Sequence, residues 1–122
     1  TDLKVLSPVI AQKYSLKYSS TNDSQEMIHC LQNGGCAIAN VGGDRDDGNY
    51  IGVFSHGGHY ITVISANEAE LCILDPSLKD GKFEEDGRKG KVQVEGDFVY
   101  CDLKVLEKDT DNRSPRYYLF TR

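Results

Sequence analysis

His59 and Asp75 are the residues of this chain best spaced to do chemistry together. His59 sits near the start of the run Gly57-Gly58-His59-Tyr60-Ile61-Thr62-Val63-Ile64-Ser65, and Asp75 sits near the end of Leu71-Cys72-Ile73-Leu74-Asp75-Pro76. Both runs are apolar and rich in β-branched residues. The polar break Ala66-Asn67-Glu68-Ala69-Glu70 between them predicts an antiparallel hairpin. With its loop at Ala66 to Glu68, His59 falls directly opposite Asp75, and opposed side chains share a face of a sheet. An imidazole would then stand beside a carboxylate at the open end of the ribbon. In cysteine and serine hydrolases such a pair supplies the general base and the group that orients it. The carboxylate accepts one ring N–H, fixes the tautomer and leaves the other nitrogen for the proton of a nucleophile. Each residue also has a plainer reading: a strand-end His satisfied by a nearby acid, and an Asp before Pro as ordinary turn chemistry.

Other reactive side chains offer less. His56 precedes His59 by three residues, but Gly57-Gly58 between them argues against the helix on which zinc hydrolases present HExxH, so His56 is expected at a surface or cleft rim. The acidic, glycine-rich run Gly42-Gly43-Asp44-Arg45-Asp46-Asp47-Gly48-Asn49 lacks the length and closing Glu of a calcium loop and is expected to be a solvated loop, with a cation site as the alternative. Asn40 is a weaker candidate than Asp75 for the orienting group. The four cysteines, Cys30, Cys36, Cys72 and Cys101, form no CxxC and fall in apolar or helical patterns, where free Cys behaves as a small buried hydrophobe. Cys36 is the best internal nucleophile. It follows a predicted helix end, however, and the negative end of a helix dipole raises a thiol pKa when a nucleophile needs it lowered. Unpaired cysteines favour a reducing, cytoplasmic setting over a secreted one.

The elements that would position these groups read as follows. Ser7-Pro8 suits an N-cap followed by proline at the first helical position, predicting a short helix that ends near Ser15-Leu16. Ser19-Ser20-Thr21-Asn22 reads as a loop. Asp23 with Glu26 predicts the start of a second helix, with Met27, Ile28 and Leu31 as its apolar stripe, His29 toward solvent and Asn33-Gly34-Gly35 as its end. Cys36 to Val41 follows as a buried strand, and Tyr50 to Phe54 leads back toward the His59 hairpin. After Pro76, Lys79-Asp80-Gly81 and Glu85-Asp86-Gly87 read as turns. Lys89 to Glu95 and Phe98 to Cys101 form a second hairpin, Leu103 to Leu106 a helical turn or short strand, and Arg116 to Thr121 a closing strand. The fold class is α+β, two short helices followed by a mostly antiparallel sheet.

Composition narrows the partners. With 122 residues the chain is one domain or part of one. A net charge of -5, from 14 Lys+Arg against 19 Asp+Glu, gives no basic footprint for nucleic acid. The apolar runs are far shorter than a membrane span, so no membrane contact is expected.

Leu31-Gln32-Asn33-Gly34-Gly35, then Gly57-Gly58-His59-Tyr60-Ile61, then Leu74-Asp75-Pro76 resembles the latter half of the papain-like double-glycine leader peptidases, the bacteriocin-processing family, and their bacterial relatives. The resemblance covers about Pro8 to Pro76, and Tyr117-Tyr118-Leu119-Phe120 is similar to the closing strand of some relatives. It implies a papain-like fold in which His59 is the catalytic base and Asp75 its partner. It also implies a nucleophilic Cys at a helix start in a Gly-Cys-Gly-Pro-like segment upstream, preceded by an oxyanion-hole Gln. Nothing in Thr1 to Asn22 looks like either, so residues 1–122 would be the base-carrying, C-terminal part of a peptidase domain that the upstream segment completes. No cofactor or metal is implied, and the substrate would be a peptide or protein.

The expected function is therefore peptide-bond hydrolysis through a Cys-His-Asp triad, of which this chain holds the His and Asp. A catalytically inactive papain-like module that binds peptides or proteins is the alternative. A metal-assisted hydrolase using His56, His59, Asp75 and a cysteine is a third.

Overall fold

The structure is a computed structural model that describes residues 3–46, 48–67 and 70–122, without the side chains of Lys4 and Val5. The tip of the predicted hairpin loop, Glu68 and Ala69, and Asp47 of the acidic run lie outside the described residues, as do Thr1 and Asp2. The elements are α1 (Leu3–Lys13), β1 (Lys17–Thr21), α2 (Ser24–Gln32), β2 (Cys36–Val41), β3 (His59–Asn67), β4 (Glu70–Leu74), β5 (Val92–Glu95), β6 (Phe98–Asp102), α3 (Leu103–Thr110) and β7 (Tyr117–Thr121). A 3-10 turn spans Lys82–Glu84. The strands form one open sheet in the order β1-β7-β2-β3-β4-β6-β5, every neighbouring pair antiparallel. This is a small α+β domain, and among the described residues no helix is long and apolar enough to cross a membrane.

Alternation in the central strands divides the sheet into two faces. Ala37, Ala39 and Val41 of β2, Ile61 and Val63 of β3, and Leu71 and Ile73 of β4 point to one side, where Met27, Ile28 and Leu31 of α2 and Leu103 and Leu106 of α3 close the main core. The opposite side carries a smaller cluster in which Ala11 of α1 packs with Tyr118 and Phe120 of β7. α2 begins where Asp23 predicts, the Asp23 carboxylate accepting the Gln25 N–H at 2.8 Å. His29 is exposed, while Met27, Ile28 and Leu31 are buried.

Three expectations are corrected. α1 begins at Leu3, about a turn before Ser7-Pro8, so Pro8 is interior to the helix. Leu3 packs on the Tyr118 and Phe120 cluster, and that packing carries the helix past a residue that favours a helix start. The polar run at Ser19 to Thr21 is not a loop but part of β1, an edge strand paired with β7. Its side chains are mostly exposed, so it has none of the apolar alternation by which a half-buried strand is recognised. Three helices are present among the described residues, since Leu103 to Leu106 opens α3, capped by Asp102, whose carboxylate accepts the Lys104 N–H at 2.9 Å.

The register of the β3–β4 hairpin also differs from expectation. Thr62 pairs with Leu74 and Val63 with Ile73. A bulge between Val63 and Ser65 then shifts the distal half, where Asn67 pairs with Glu70. Continued outward, the proximal register sets Asp75 across from Ile61 and not from His59. The slip amounts to two residues, which preserves the face: His59, Ile61 and Val63 stay on the same side as Leu71, Ile73 and Asp75.

Candidate functional site

His59 is the first residue of β3 and pairs with Val41, the last of β2, so its side chain emerges where the main core ends. Asp75 directly follows β4 on the same face, and its side chain is fully buried while that of His59 is a quarter exposed. As diagonal neighbours the two meet, His59 Nε2 lying 3.2 Å from Asp75 Oδ1. Among the described residues Nδ1 of His59 has no hydrogen-bond partner. With a proton on Nε2 donated to Asp75, the Nδ1 lone pair is free to accept one.

Asp75 is the centre of a denser network than a hairpin argument foresees. Its Oδ1 also accepts the Ser77 backbone N–H at 3.0 Å and the Ser77 hydroxyl at 3.0 Å, and Leu78 N–H donates to its carbonyl at 3.0 Å, which turns the chain sharply after β4. Its Oδ2 accepts from Lys82 Nζ, whose side chain is almost as buried as the carboxylate itself. Lys82 Nζ also donates to Ser77 Oγ at 2.7 Å, and that hydroxyl stands 3.3 Å from His59 Nε2. Burial pushes the Asp75 carboxyl up. The Lys82 hydrogen bond, the Ser77 N–H and the Lys82 charge outweigh it and hold the group below the usual carboxylate range. At neutral pH Asp75 is therefore an ionised acceptor.

Lys82 is a residue that sequence reasoning missed. It opens the 3-10 turn after Gly81, which takes a left-handed φ of 77°, and the next residue, Phe83, packs edge-on against Phe54 with ring centroids 5.7 Å apart. Arg88, also buried, donates to the Lys82 carbonyl at 3.3 Å and to the Gly52 carbonyl at 2.7 Å. The turn is thus tied to the segment that leads into His59.

That segment is organised by three carboxylates. Asp109 of α3, fully buried, accepts the Tyr50 hydroxyl at 2.6 Å and the Val53 N–H at 2.9 Å. Asp44 accepts the Gly52 N–H at 2.7 Å and faces His56 Nδ1 at 2.9 Å, while Glu85 faces His56 Nε2 at 2.8 Å. His56 is thus an exposed bridge between two loops. It does not join His59 and Asp75. Among the described residues no group of three or more His, Cys, Asp or Glu is arranged to hold a metal ion.

The remaining candidates lie elsewhere. Asn40 pairs with Tyr60, on the face opposite the His59 side chain, and its Nδ2 donates to the Pro115 carbonyl at 3.3 Å, so it does not orient the imidazole. All four cysteines are free thiols. Cys36 sits at the far end of β2, five residues from the Val41–His59 pair, or roughly 16 Å at the usual strand rise. Cys72 pairs with Ser65, six residues along β3, roughly 20 Å away. Burial pushes the thiols of Cys30 and Cys36 up, and that of Cys101 to about 12. None of these residues combines the position and the acidity that a thiolate partner of His59 requires.

No family model, no curated protein and no solved structure matches this chain.

Proposed function

We propose that this chain carries the base and the orienting acid of a papain-like cysteine peptidase similar to the double-glycine leader peptidases. The nucleophilic Cys would come from a segment outside Thr1 to Arg122. The observation that carries this reading is the contact of His59 Nε2 with a buried, ionised Asp75, which leaves Nδ1 unpartnered. In the complete site Nδ1 takes the proton of the Cys thiol, and the thiolate attacks the carbonyl carbon of a peptide bond. The imidazolium returns that proton to the departing amine, and water then hydrolyses the thioester. Asp75 holds the ring in one tautomer and stabilises its positive form. Lys82 and Ser77 keep Asp75 charged and fixed. Oxyanion stabilisation by backbone N–H groups and a Gln would come with the nucleophile's segment.

One observation favours a second reading. Asp75 already has a buried cation in Lys82 and closes a turn through Ser77 and Leu78, so its placement has a structural cause without catalysis. On that reading the chain is a peptide- or protein-binding module. Iodoacetamide labelling of the full-length gene product separates the two. The peptidase reading expects fast alkylation of one Cys outside residues 1–122 and at least a tenfold slowing in His59→Ala. Uniformly slow alkylation, indifferent to that substitution, rejects it.

A further inference from the structure

A cleft of about 640 Å³ opens at the ends of β2 and β3, with Asn40, Gly57, Gly58, His59, Arg113 and Ser114 among its lining residues. Arg113 lies in the loop between α3 and β7, and that loop is anchored on three sides. Its own N–H donates to the Thr110 carbonyl at 3.0 Å. Asn22 Nδ2 donates to Ser114 Oγ at 3.2 Å, the Arg116 N–H donates to Asn22 Oδ1 at 2.9 Å, and the Asn40 N–H donates to the Arg116 carbonyl at 2.8 Å. The backbone that presents Arg113 is therefore held before any ligand arrives.

The guanidinium itself is left without an anion. Its Nε is buried with no hydrogen-bond partner, and among the described residues no carboxylate lies within ion-pair distance of it. Arg45 and Arg88, by contrast, are paired with Asp111 and Glu85, in a chain with five more acids than bases. Its Nη2 lies against Gly58, where a Cβ would come within 2.4 Å of it, and Gly58 takes a left-handed φ of 98° that favours glycine next to His59. With its Nε closed off inside the protein, the guanidinium offers its Nη edge to a ligand, and the group that fits a planar fork is a carboxylate, bound through two parallel N–H···O bonds.

We propose that this cleft is a carboxylate-binding site read by Arg113. If the peptidase reading is also correct, the site takes a carboxylate of the substrate at the sheet end where His59 begins β3, on the Asn40 and Tyr60 side of the sheet. The binding itself requires no thiol and stands apart from that reading. The carboxylate can be a peptide's C-terminus or an acidic side chain.

The test is a titration of the chain, followed by ¹⁵N NMR, with N-acetylglycine, with N-acetylglutamic acid α-amide, with N-acetylglycinamide and with inorganic phosphate. Saturable shifts of the Gly57, Gly58 and Arg113 Nε signals are expected with at least one carboxylate and not with the neutral amide. The tighter of the two carboxylates identifies the source. Arg113→Gln should weaken that binding at least tenfold, and Arg113→Lys by several-fold, since a point charge replaces a fork. The rest of each variant's spectrum reports that it is folded. Equal shifts with the neutral amide, no binding of either carboxylate, tighter binding of phosphate, or affinity within twofold in Arg113→Gln would overturn the proposal. Failure of the iodoacetamide experiment alone would remove the peptidase reading and leave this one intact.

Discussion

Replacing Lys82 with Met tests how the acid beside His59 is held. The Lys82 and Asp75 side chains are 5% and 0% exposed, so removing the cation strands a carboxylate in a site that water does not reach. Breaking one partner of a buried pair costs roughly 3–5 kcal/mol, against about 0.2–1 kcal/mol for an exposed pair. The pH dependence fixes the cause. Asp75 titrates below its unfolded value in the native protein, so its contribution to stability is present above about pH 3.9 and is lost as pH falls through the folded value. In Lys82→Met the burial of Asp75 is no longer opposed by the ammonium, and protonation of Asp75 relieves the cost of the buried charge. The gap between the two proteins should therefore be widest near neutrality and narrow as pH drops through about 4. Urea denaturation at a series of pH values measures it, and Lys82→Met with Asp75→Asn should recover part of the loss. A deficit below about 1 kcal/mol at neutral pH, or one that does not change with pH, would refute the buried-pair account.

Asp109→Asn should cost about 1–3 kcal/mol and lower the hydrogen-exchange protection of the Val53 amide, because the carboxylate accepts both that N–H and the Tyr50 hydroxyl. The His56 bridge should be pH-dependent. The hydrogen bond to Asp44, then that to Glu85, raises the His56 pKa, so the bridge is fully formed below the unfolded value near 6.5 and is lost as pH rises through the elevated folded value. Exchange rates of the Asp44 and Gly52 amides, followed across that range, should rise with pH, and salt should weaken the effect because the groups are exposed.

The meeting of His59 and Asp75 was legible because a strand alternates with a period of two. The hairpin register differs from the expected one, but a two-residue slip leaves every side chain on its original face, so the pair still meets as diagonal neighbours. Lys82 was not legible. It sits among turn residues with no periodicity, and only the three-dimensional return of that turn brings its amine to Asp75. The same holds for Arg113, whose loop is positioned by Asn22 and Asn40, residues far from it in sequence. β1 escaped because an exposed edge strand of Ser and Thr has the composition of a loop. The papain-like arrangement rests on the sequence resemblance alone; the structure itself shows a small α+β domain built on a mostly antiparallel seven-stranded sheet.

The measurement that bears most directly on the role of His59 is its tautomeric state, read from the ¹⁵N shifts and long-range couplings of the two ring nitrogens above the histidine titration. A proton on Nε2, lost as the preferred site in Asp75→Asn, with Nδ1 bare, is the state that a base held by Asp75 must occupy. A proton resident on Nδ1, or an equal mixture insensitive to Asp75, would contradict the account.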